Sequence, residues 1–129
     1  MASRYYAPCR ELEICDSLFN QYWEAGEYGR IFSGLLPLAE QGYPLAECQV
    51  GYFYAQGLGV ERDLDRSLLW TRRAAEHGDR DAQFNLGCFY EEGTALARDM
   101  EQAALWYRRA ARQGHTEAAE RLRALGVPQ

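Results

Sequence analysis

Apolar and small side chains recur along this chain at the three-to-four-residue spacing of one helix face, and a clear example lies between residues 46 and 56. Ala46, Val50 and Tyr54 fall on one face of that segment, which predicts an amphipathic helix packed on a core. Gly57 follows directly. Because glycine adopts the left-handed backbone that ends many helices, we expect this helix to end there.

A second helix is predicted after a short connection containing Val60, which we expect to fill the gap between the two helices. This helix begins at Asp63 or Asp65, because a carboxylate accepts hydrogen bonds from the unpaired amides of a first helical turn. Its inward-facing side chains are expected to be Leu69, Trp70 and Ala74.

The pattern then repeats. When the chain is shifted by 36 positions, residues 45–80 align with 81–116 without a gap, and 14 of the 36 positions are identical. Each unit is therefore predicted to be one pair of helices that stacks on the next. The identical pairs are Ala46 and Ala82, Gly51 and Gly87, Phe53 and Phe89, Tyr54 and Tyr90, Gly57 and Gly93, Arg62 and Arg98, Asp63 and Asp99, Leu69 and Leu105, Trp70 and Trp106, Arg72 and Arg108, Arg73 and Arg109, Ala74 and Ala110, Ala75 and Ala111, and Gly78 and Gly114.

Two of the repeated residues, Gly51 and Gly87, fall in the middle of a predicted helix. A glycine there costs about 1 kcal/mol relative to alanine. A costly residue that recurs needs a reason, and we expect the two helices of each unit to approach closely at these glycines.

The flanking segments are predicted to be degenerate units. A helix is expected near 9–25 and another at 28–41, the second bent or interrupted by Pro37. The whole chain is then one repeat domain, which we divide into an N-terminal helix pair at 9–42, repeats at 45–80 and 81–116, and a C-terminal capping helix at 117–126.

The repeat resembles the Sel-one-like repeat (SLR) family, whose members are relatives of the tetratricopeptide helical repeats. The resemblance rests on the pattern A-x(4)-G-x(2)-Y-x(2)-G-x(5)-D-x(6)-W-x(3)-A-A-x(2)-G at 46–78 and 82–114, and on LLPLAEQG at 35–42. It implies an all-α fold: a right-handed α/α superhelical solenoid of antiparallel helix pairs, with about three repeats and a C-terminal capping helix. It also implies an adaptor that holds a partner protein.

The second unit departs from the family's Gly-x-Gly-Val connection. It reads Gly93-Thr94-Ala95-Leu96. We expect Leu96 to fill the gap between the helices as Val60 does, in a loop of different shape.

Composition and charge narrow the classes of function. The chain has 129 residues, of which 47% are hydrophobic and 26% charged, and its formal charge is −5, as is typical of one globular domain. A net negative charge disfavours a nucleic-acid binder, and no apolar run is long enough for a membrane helix. We recognise no secretory signal and expect a cytoplasmic, bacterial protein. All 14 basic residues are arginine, which we attribute to the coding composition of the source genome.

The four cysteines are Cys9, Cys15, Cys48 and Cys88. No Cys-x-x-Cys motif is present and neither histidine lies near a cysteine in sequence, so we predict reduced thiols and no metal site. No cofactor is expected, because Gly57-Leu58-Gly59 lacks the pattern of a phosphate-binding loop.

Other residue types suited to chemistry also have structural interpretations. We expect Trp70 and Trp106 to lie in the core. Asp63 and Asp99 are expected to be helix caps, not acid–base catalysts. The arginine pairs at 72–73 and 108–109 are expected on solvated helix faces, near acidic residues such as Asp65 and Glu101. His77 and His115 are expected to meet the free carbonyls of helix ends.

The favoured function is a non-catalytic adaptor that binds another protein or a peptide. In related helical repeats the first helix of each unit lines the concave face, and amide and aromatic groups there can bind a partner's backbone. The residues of these helices that packing does not use are Gln49, Tyr52, Gln56, Asn85, Cys88 and Glu92.

Two alternatives stay open from the sequence. One is a small regulatory subunit or homodimer that uses the N-terminal arm Arg4-Tyr5-Tyr6. The other is an enzyme that binds or hydrolyses β-lactams, as the resemblance implies for some secreted, cysteine-rich relatives. Those relatives carry a cysteine pair in each repeat, whereas each unit here has one, which disfavours this alternative.

Overall fold

The computed structural model describes residues 10–126, and their side chains from residue 13 onward. Cys9 and the arm Arg4-Tyr5-Tyr6 lie outside the described residues. The described part of the chain is all α-helix and connecting turns. Its seven helices are α1 (Arg10–Tyr22), α2 (Tyr28–Glu40), α3 (Pro44–Gln56), α4 (Leu64–Glu76), α5 (Arg80–Glu92), α6 (Met100–Arg112) and α7 (Thr116–Ala124).

Each helix packs mainly against the helices that precede and follow it in the chain. Short connections turn the chain back between them, so that successive helices lie antiparallel. The result is the predicted solenoid, in which α3 and α4 form one repeat, α5 and α6 form the next, and α7 covers the end. A solenoid spreads its core along the array, with one cluster of buried side chains at each junction.

The ends of the repeated helices are set by the residues that the sequence indicated. Gly57 and Gly93 end α3 and α5 in the left-handed conformation, with φ of 69° and 70°. Asp63, not Asp65, caps α4 by accepting a hydrogen bond from the amide of Arg66 at 3.0 Å. Asp99 caps α6 in the same way.

The two mid-helix glycines mark close approaches between helices, as predicted. A Cβ atom at Gly51 would lie 2.7 Å from Oγ1 of Thr71 on α4. At Gly87 it would lie 2.6 Å from the ring of Tyr107 on α6. Neither position has room for a side chain, which explains why glycine recurs there.

The repeated small and aromatic residues form the core. Tyr54 packs edge-on against Phe32, and the indoles of both repeat tryptophans are buried. Five of the six repeated alanines are buried, and they are Ala46, Ala74, Ala75, Ala82 and Ala110. Tyr90 is partly buried. Val60 packs against the core cluster that contains Phe32, Phe53 and Tyr54. Gly78 and Gly114 follow the second helix of each unit and have positive φ angles.

One core prediction is wrong: Leu69 is 47% exposed. The side chains that α4 buries recur at a helical spacing from Ser67 to Ala75, and Leu69 falls between the members of that series. The inward face is therefore partly polar, and Thr71 takes the place that the sequence pattern gave to Leu69.

Pro37 does not interrupt its helix. α2 continues to Glu40, because a proline in the last turn removes only one hydrogen bond. The carbonyl oxygen of Pro37 still accepts a hydrogen bond from the amide of Gln41 at 3.2 Å, and Leu35 and Leu38 on the same helix are buried. Packing of the apolar face therefore holds the last turn in helical form.

The connection between α5 and α6 has the same backbone shape as its counterpart, which corrects the expected difference. Gly59 has φ of 64°, and Ala95 at the equivalent position has φ of 62°. The neighbours differ, however. A Cβ atom at Gly59 would lie 2.4 Å from the amide nitrogen of Gly29, so this position has no room for the methyl group that Ala95 carries.

Candidate functional site

The first helices of the two repeats border a groove of about 430 Å³, with α4 behind it. We call it the α3–α5 groove. Tyr52 and Gln56 reach it from α3, and Asn85, Cys88 and Glu92 reach it from α5. The structure thus brings five of the six predicted concave-face residues together at one place. That a partner binds them stays a prediction.

Three polar groups at this groove make no hydrogen bond within the described part of the chain. They are the hydroxyl of Tyr52 and the side-chain amides of Gln56 and Asn85. Tyr52 is also 47% exposed. Groups of this kind can donate to and accept from an extended backbone without giving up a bond within the chain.

The sixth predicted residue, Gln49, does not line the groove. Its Oε1 atom is buried and has no hydrogen-bond partner among the described residues. Gln49 lies two turns of α3 before Gln56, which takes it past the end of the cavity.

The floor and rim of the groove contain residues that the sequence did not single out. Ser67 and Thr71 come from α4, and the Ser67 hydroxyl donates to the Gly51 carbonyl at 2.7 Å. Arg62 lies on the rim, where its Nε donates to the Ala55 carbonyl at 3.1 Å. The only sequence signal for the floor was the repeated Gly51, which predicted a close approach without showing that Thr71 lies opposite it.

A hydrogen-bonded network holds the α5 side of the groove. The Tyr107 hydroxyl donates to Oε1 of Glu91 at 2.8 Å and lies 3.5 Å from the sulfur of Cys88. Arg121 of α7 donates to the same carboxylate. Burial, together with hydrogen bonds to Cys88 and Glu91, raises the pKa of Tyr107. The network therefore ties α5, α6 and α7 together around a neutral phenol.

Cys88 does not have the environment of a reactive nucleophile. Burial raises the pKa of its thiol above the usual value, and the nearby carboxylates of Glu91 and Glu92 raise it further against the lowering effect of Tyr107. A raised thiol pKa leaves less thiolate, which is the reactive form. Cys88 lines the groove, and its contact with a partner stays a prediction.

Burial also raises the pKa of the Cys48 thiol, and the nearby carboxylates of Asp79 and Asp81 add to this effect. Cys48 and Cys88 are free thiols. Among the residues that the structure describes, no group of three or more histidine, cysteine, aspartate or glutamate side chains is placed to hold a metal ion.

The repeat tryptophans lie in the core as expected, and Arg73 and Arg109 are exposed on helix faces, as predicted. The guanidinium of Arg73 lies 4.9 Å from the ring centroid of Trp70, and that of Arg109 lies 4.5 Å from Trp106. The expected acidic neighbours of these two arginines are replaced by aromatic ones, because a planar guanidinium covers an indole well.

The histidines differ from prediction in a similar way. His77 ends α4, but its Nδ1 lies 2.6 Å from Oε1 of the buried Glu47. His115 begins α7, where its Nδ1 accepts a hydrogen bond from the amide of Ala118 at 3.1 Å and its ring stacks on Phe84. It therefore serves a helix start and not the free carbonyls of a helix end.

Comparison with known proteins now identifies the class. A family profile described as the Sel1 repeat matches residues 44–79 and 80–115, and these two matches cover more than half of the chain. The chain belongs to the Sel1 repeat family.

Similar structures and sequences agree with this assignment. A Sel1 repeat protein from Oxalobacter formigenes superposes with a TM-score of 0.76 at 35% identity, over 89% of this chain and 44% of that one. A protective antigen with an SLR fold, present in uropathogenic Escherichia coli strains, superposes with a TM-score of 0.79 at 31% identity, over 91% of this chain and 26% of that one. Cysteine-rich protein B of Helicobacter pylori shares the fold, with a TM-score of 0.67 at 19% identity, over 87% of this chain and 96% of that one.

Among curated proteins, a chitin synthase regulator of Malassezia restricta is 51% identical over 41 residues, which is 32% of this chain and 3% of that protein. The chain thus spans a small part of this relative and less than half of the Oxalobacter and Escherichia structures. Sel1-like repeats generally mediate protein–protein interaction and are typically non-catalytic. Within the described residues, no helix is long and apolar enough to cross a membrane.

Proposed function

We propose that this chain is a non-catalytic adaptor module that binds an extended segment of a partner protein in the α3–α5 groove. The observation that carries the proposal is that the polar groups of Tyr52, Gln56 and Asn85 surround one cavity and make no hydrogen bond with any described residue. A solenoid of this kind presents a long surface to an extended partner. The amides bind the partner's backbone, while the Tyr52 ring supplies contact area.

The groove also favours a segment with little net charge at its centre. Arg62 and Glu92 are charged residues of opposite sign at its border, and each has a contact within the chain: Arg62 with the Ala55 carbonyl and Glu92 with the Thr94 hydroxyl at 3.4 Å. Specificity along the groove therefore comes from amide hydrogen bonds and shape more than from charge.

We also propose that the module works in the cytoplasm. The free thiols of Cys48 and Cys88 support a reducing compartment. Modification of the cysteines in intact cells with a membrane-permeant reagent but not with an impermeant one is the expected result.

To test the groove, peptides are selected from a random library for binding to the intact chain. We expect the combined substitution Tyr52→Ala and Asn85→Ala to weaken their binding at least about tenfold, the loss typical of one important contact residue. Leu69→Ala is the matched control, because Leu69 is as exposed as Tyr52, at 47%, but lies on α4. Equal affinity for the double variant and the wild type, or an equal loss in the control, would exclude the groove.

A further inference from the structure

A second surface lies at the end of α1, beside Trp23. The indole packs on Phe19 with ring centroids 5.6 Å apart, on Tyr28 at 5.1 Å and on Phe53 at 6.4 Å. Despite these three contacts, Trp23 is 37% exposed. A cavity of about 290 Å³ opens beside it, and we call this cavity the Trp23 hollow. Its lining residues are Phe19, Asn20, Trp23 and Glu24.

The surroundings of the hollow are acidic. Residues 11–29 contain five acidic side chains and no basic one. Glu27 pairs with Arg30 at 3.3 Å, but Asp16 and Glu24 make no ion pair within the described part of the chain. Trp23 directly follows α1 and continues its last turn, because its amide donates to the Phe19 carbonyl at 3.0 Å, and Asp16 lies two turns earlier on the same side. Two carboxylates without an ion-pair partner among the described residues therefore accompany an exposed indole.

The chain itself shows which group covers an indole in this fold. An arginine guanidinium lies over Trp70 and another lies over Trp106. No described arginine lies over Trp23, although this is the most exposed of the three tryptophans. A guanidinium is planar, stacks on an aromatic face and binds carboxylates with several donors, whereas a lysine ammonium lacks the plane.

The Trp23 hollow is joined to the α3–α5 groove by aromatic contacts. Tyr52 lines the groove and contacts Phe53 with ring centroids 6.2 Å apart. Phe53 in turn contacts Trp23. Because Phe53 is fully buried, it lies beneath the surface and links the two sites through its ring contacts.

We propose that the Trp23 hollow binds an arginine side chain of the partner segment, with the guanidinium stacked on Trp23 and paired with Asp16 and Glu24. This inference rests on the proposed function only in assigning both sites to one partner. The predicted partner is thus a segment with arginine at one end and a run of little charge beyond it.

The test uses the full chain labelled with 5-fluorotryptophan and the probe acetyl-Gly-Arg-Gly-Arg-Gly-amide. The fluorine resonance of Trp23 is assigned by its loss in Trp23→Phe. We expect the probe to shift this resonance and leave those of Trp70 and Trp106 in place. The same peptide with citrulline for arginine, which keeps the shape but removes the charge, is expected to bind at least about fivefold more weakly.

Charge variants complete the test. Asp16→Asn with Glu24→Gln is expected to weaken the arginine probe at least about fivefold. Glu117→Gln with Glu120→Gln removes the same charge from exposed positions of α7 and is expected to leave affinity unchanged. Equal binding of the citrulline peptide, or equal losses in both double variants, would overturn the proposal. Tighter probe binding in Arg4→Gln would also overturn it, because the chain's own N-terminal segment would then be the occupant.

Failure of this inference is distinguishable from failure of the adaptor proposal. Asn85→Ala removes a groove amide remote from the indole and is expected to weaken library peptides but not the arginine probe. If Asn85→Ala weakens the library peptides while the probe does not shift the Trp23 resonance, the groove proposal is supported and the hollow proposal is excluded. If Asn85→Ala leaves the library peptides unaffected while the probe shifts the Trp23 resonance, the groove proposal is excluded and the hollow proposal is supported.

Discussion

His77 and Glu47 form a close pair, with Nδ1 of the imidazole 2.6 Å from Oε1 of a carboxylate whose side chain is 2% exposed. Thirty-six positions later the same places hold Gln113 and Gln83, joined by a hydrogen bond of 2.9 Å. Two neighbouring repeats therefore satisfy the same buried junction with different chemistry, one ionisable and the other neutral.

This equivalence predicts that the neutral pair works in both repeats. Glu47→Gln combined with His77→Gln is expected to change the free energy of unfolding by less than about 1 kcal/mol, because both partners are replaced together. His77→Ala alone is expected to lower it by about 1–3 kcal/mol, because the buried carboxylate loses its partner. Urea unfolding measures both, and a double variant as unstable as His77→Ala would contradict the equivalence.

The two left-handed loop positions predict opposite effects of exchanging glycine and alanine. Ala95→Gly is expected to raise the free energy of unfolding by about 0.5–1 kcal/mol, because glycine relieves a conformation that alanine adopts at a cost. Gly59→Ala is expected to lower it by more than about 2 kcal/mol, since the new Cβ would meet the backbone of Gly29. Thermal unfolding of the two variants measures both changes. Destabilisation by Ala95→Gly would contradict the prediction that the two substitutions have opposite effects.

The raised pKa of Tyr107 predicts a loss of stability at alkaline pH. A raised folded-state value means that the neutral phenol stabilises the fold below the ordinary tyrosine pKa of about 10, and that this contribution is lost as the pH rises further. Tyr107→Phe removes the hydrogen bond to Glu91 and is expected to cost about 1 kcal/mol at neutral pH. Between about pH 10 and 11.5 the wild type is expected to lose more stability than the variant. If the stability of the wild type and of Tyr107→Phe fell in parallel with pH, ionisation of Tyr107 would not be the cause of the alkaline loss.

Thiol accessibility gives a further prediction. In a Cys9→Ser background, Cys88 alone is expected to react with Ellman's reagent in the native state, and slowly, because burial raises its pKa. Cys15 and Cys48 are buried and are expected to react only after unfolding. Counting released thiolate in buffer and in guanidinium chloride checks this order. Rapid native reaction of Cys48 would contradict its burial in the cluster that it forms with Ala74 and Ala82.

The sequence predicts the repeat well because its signals are local. Gly57 ends a helix by its own backbone freedom and Asp63 caps one by reaching its neighbours, so each acts within a few residues. Gly51 implied a close approach because a repeated glycine is costly in a helix. Features of this kind require no knowledge of which helix lies opposite.

The predictions were wrong where residues distant in sequence determine which side chains are buried or which groups they contact. Leu69 is exposed because the buried face of α4 is set by contact with neighbouring helices. His77 binds Glu47 from 30 positions away. Helical periodicity predicted five residues of the groove. The packing of the helices decides that Thr71 lies on the floor and that Gln49 lies outside the cavity.

The central claim is that a partner segment occupies the α3–α5 groove, and Cys88 reports on it directly. Alkylation of Cys88 by N-ethylmaleimide is measured in the Cys9→Ser chain with and without a library-selected peptide. At nine-tenths occupancy we predict a rate about tenfold lower, since only the free fraction of the protein reacts. An unchanged alkylation rate with the peptide bound would contradict the claim.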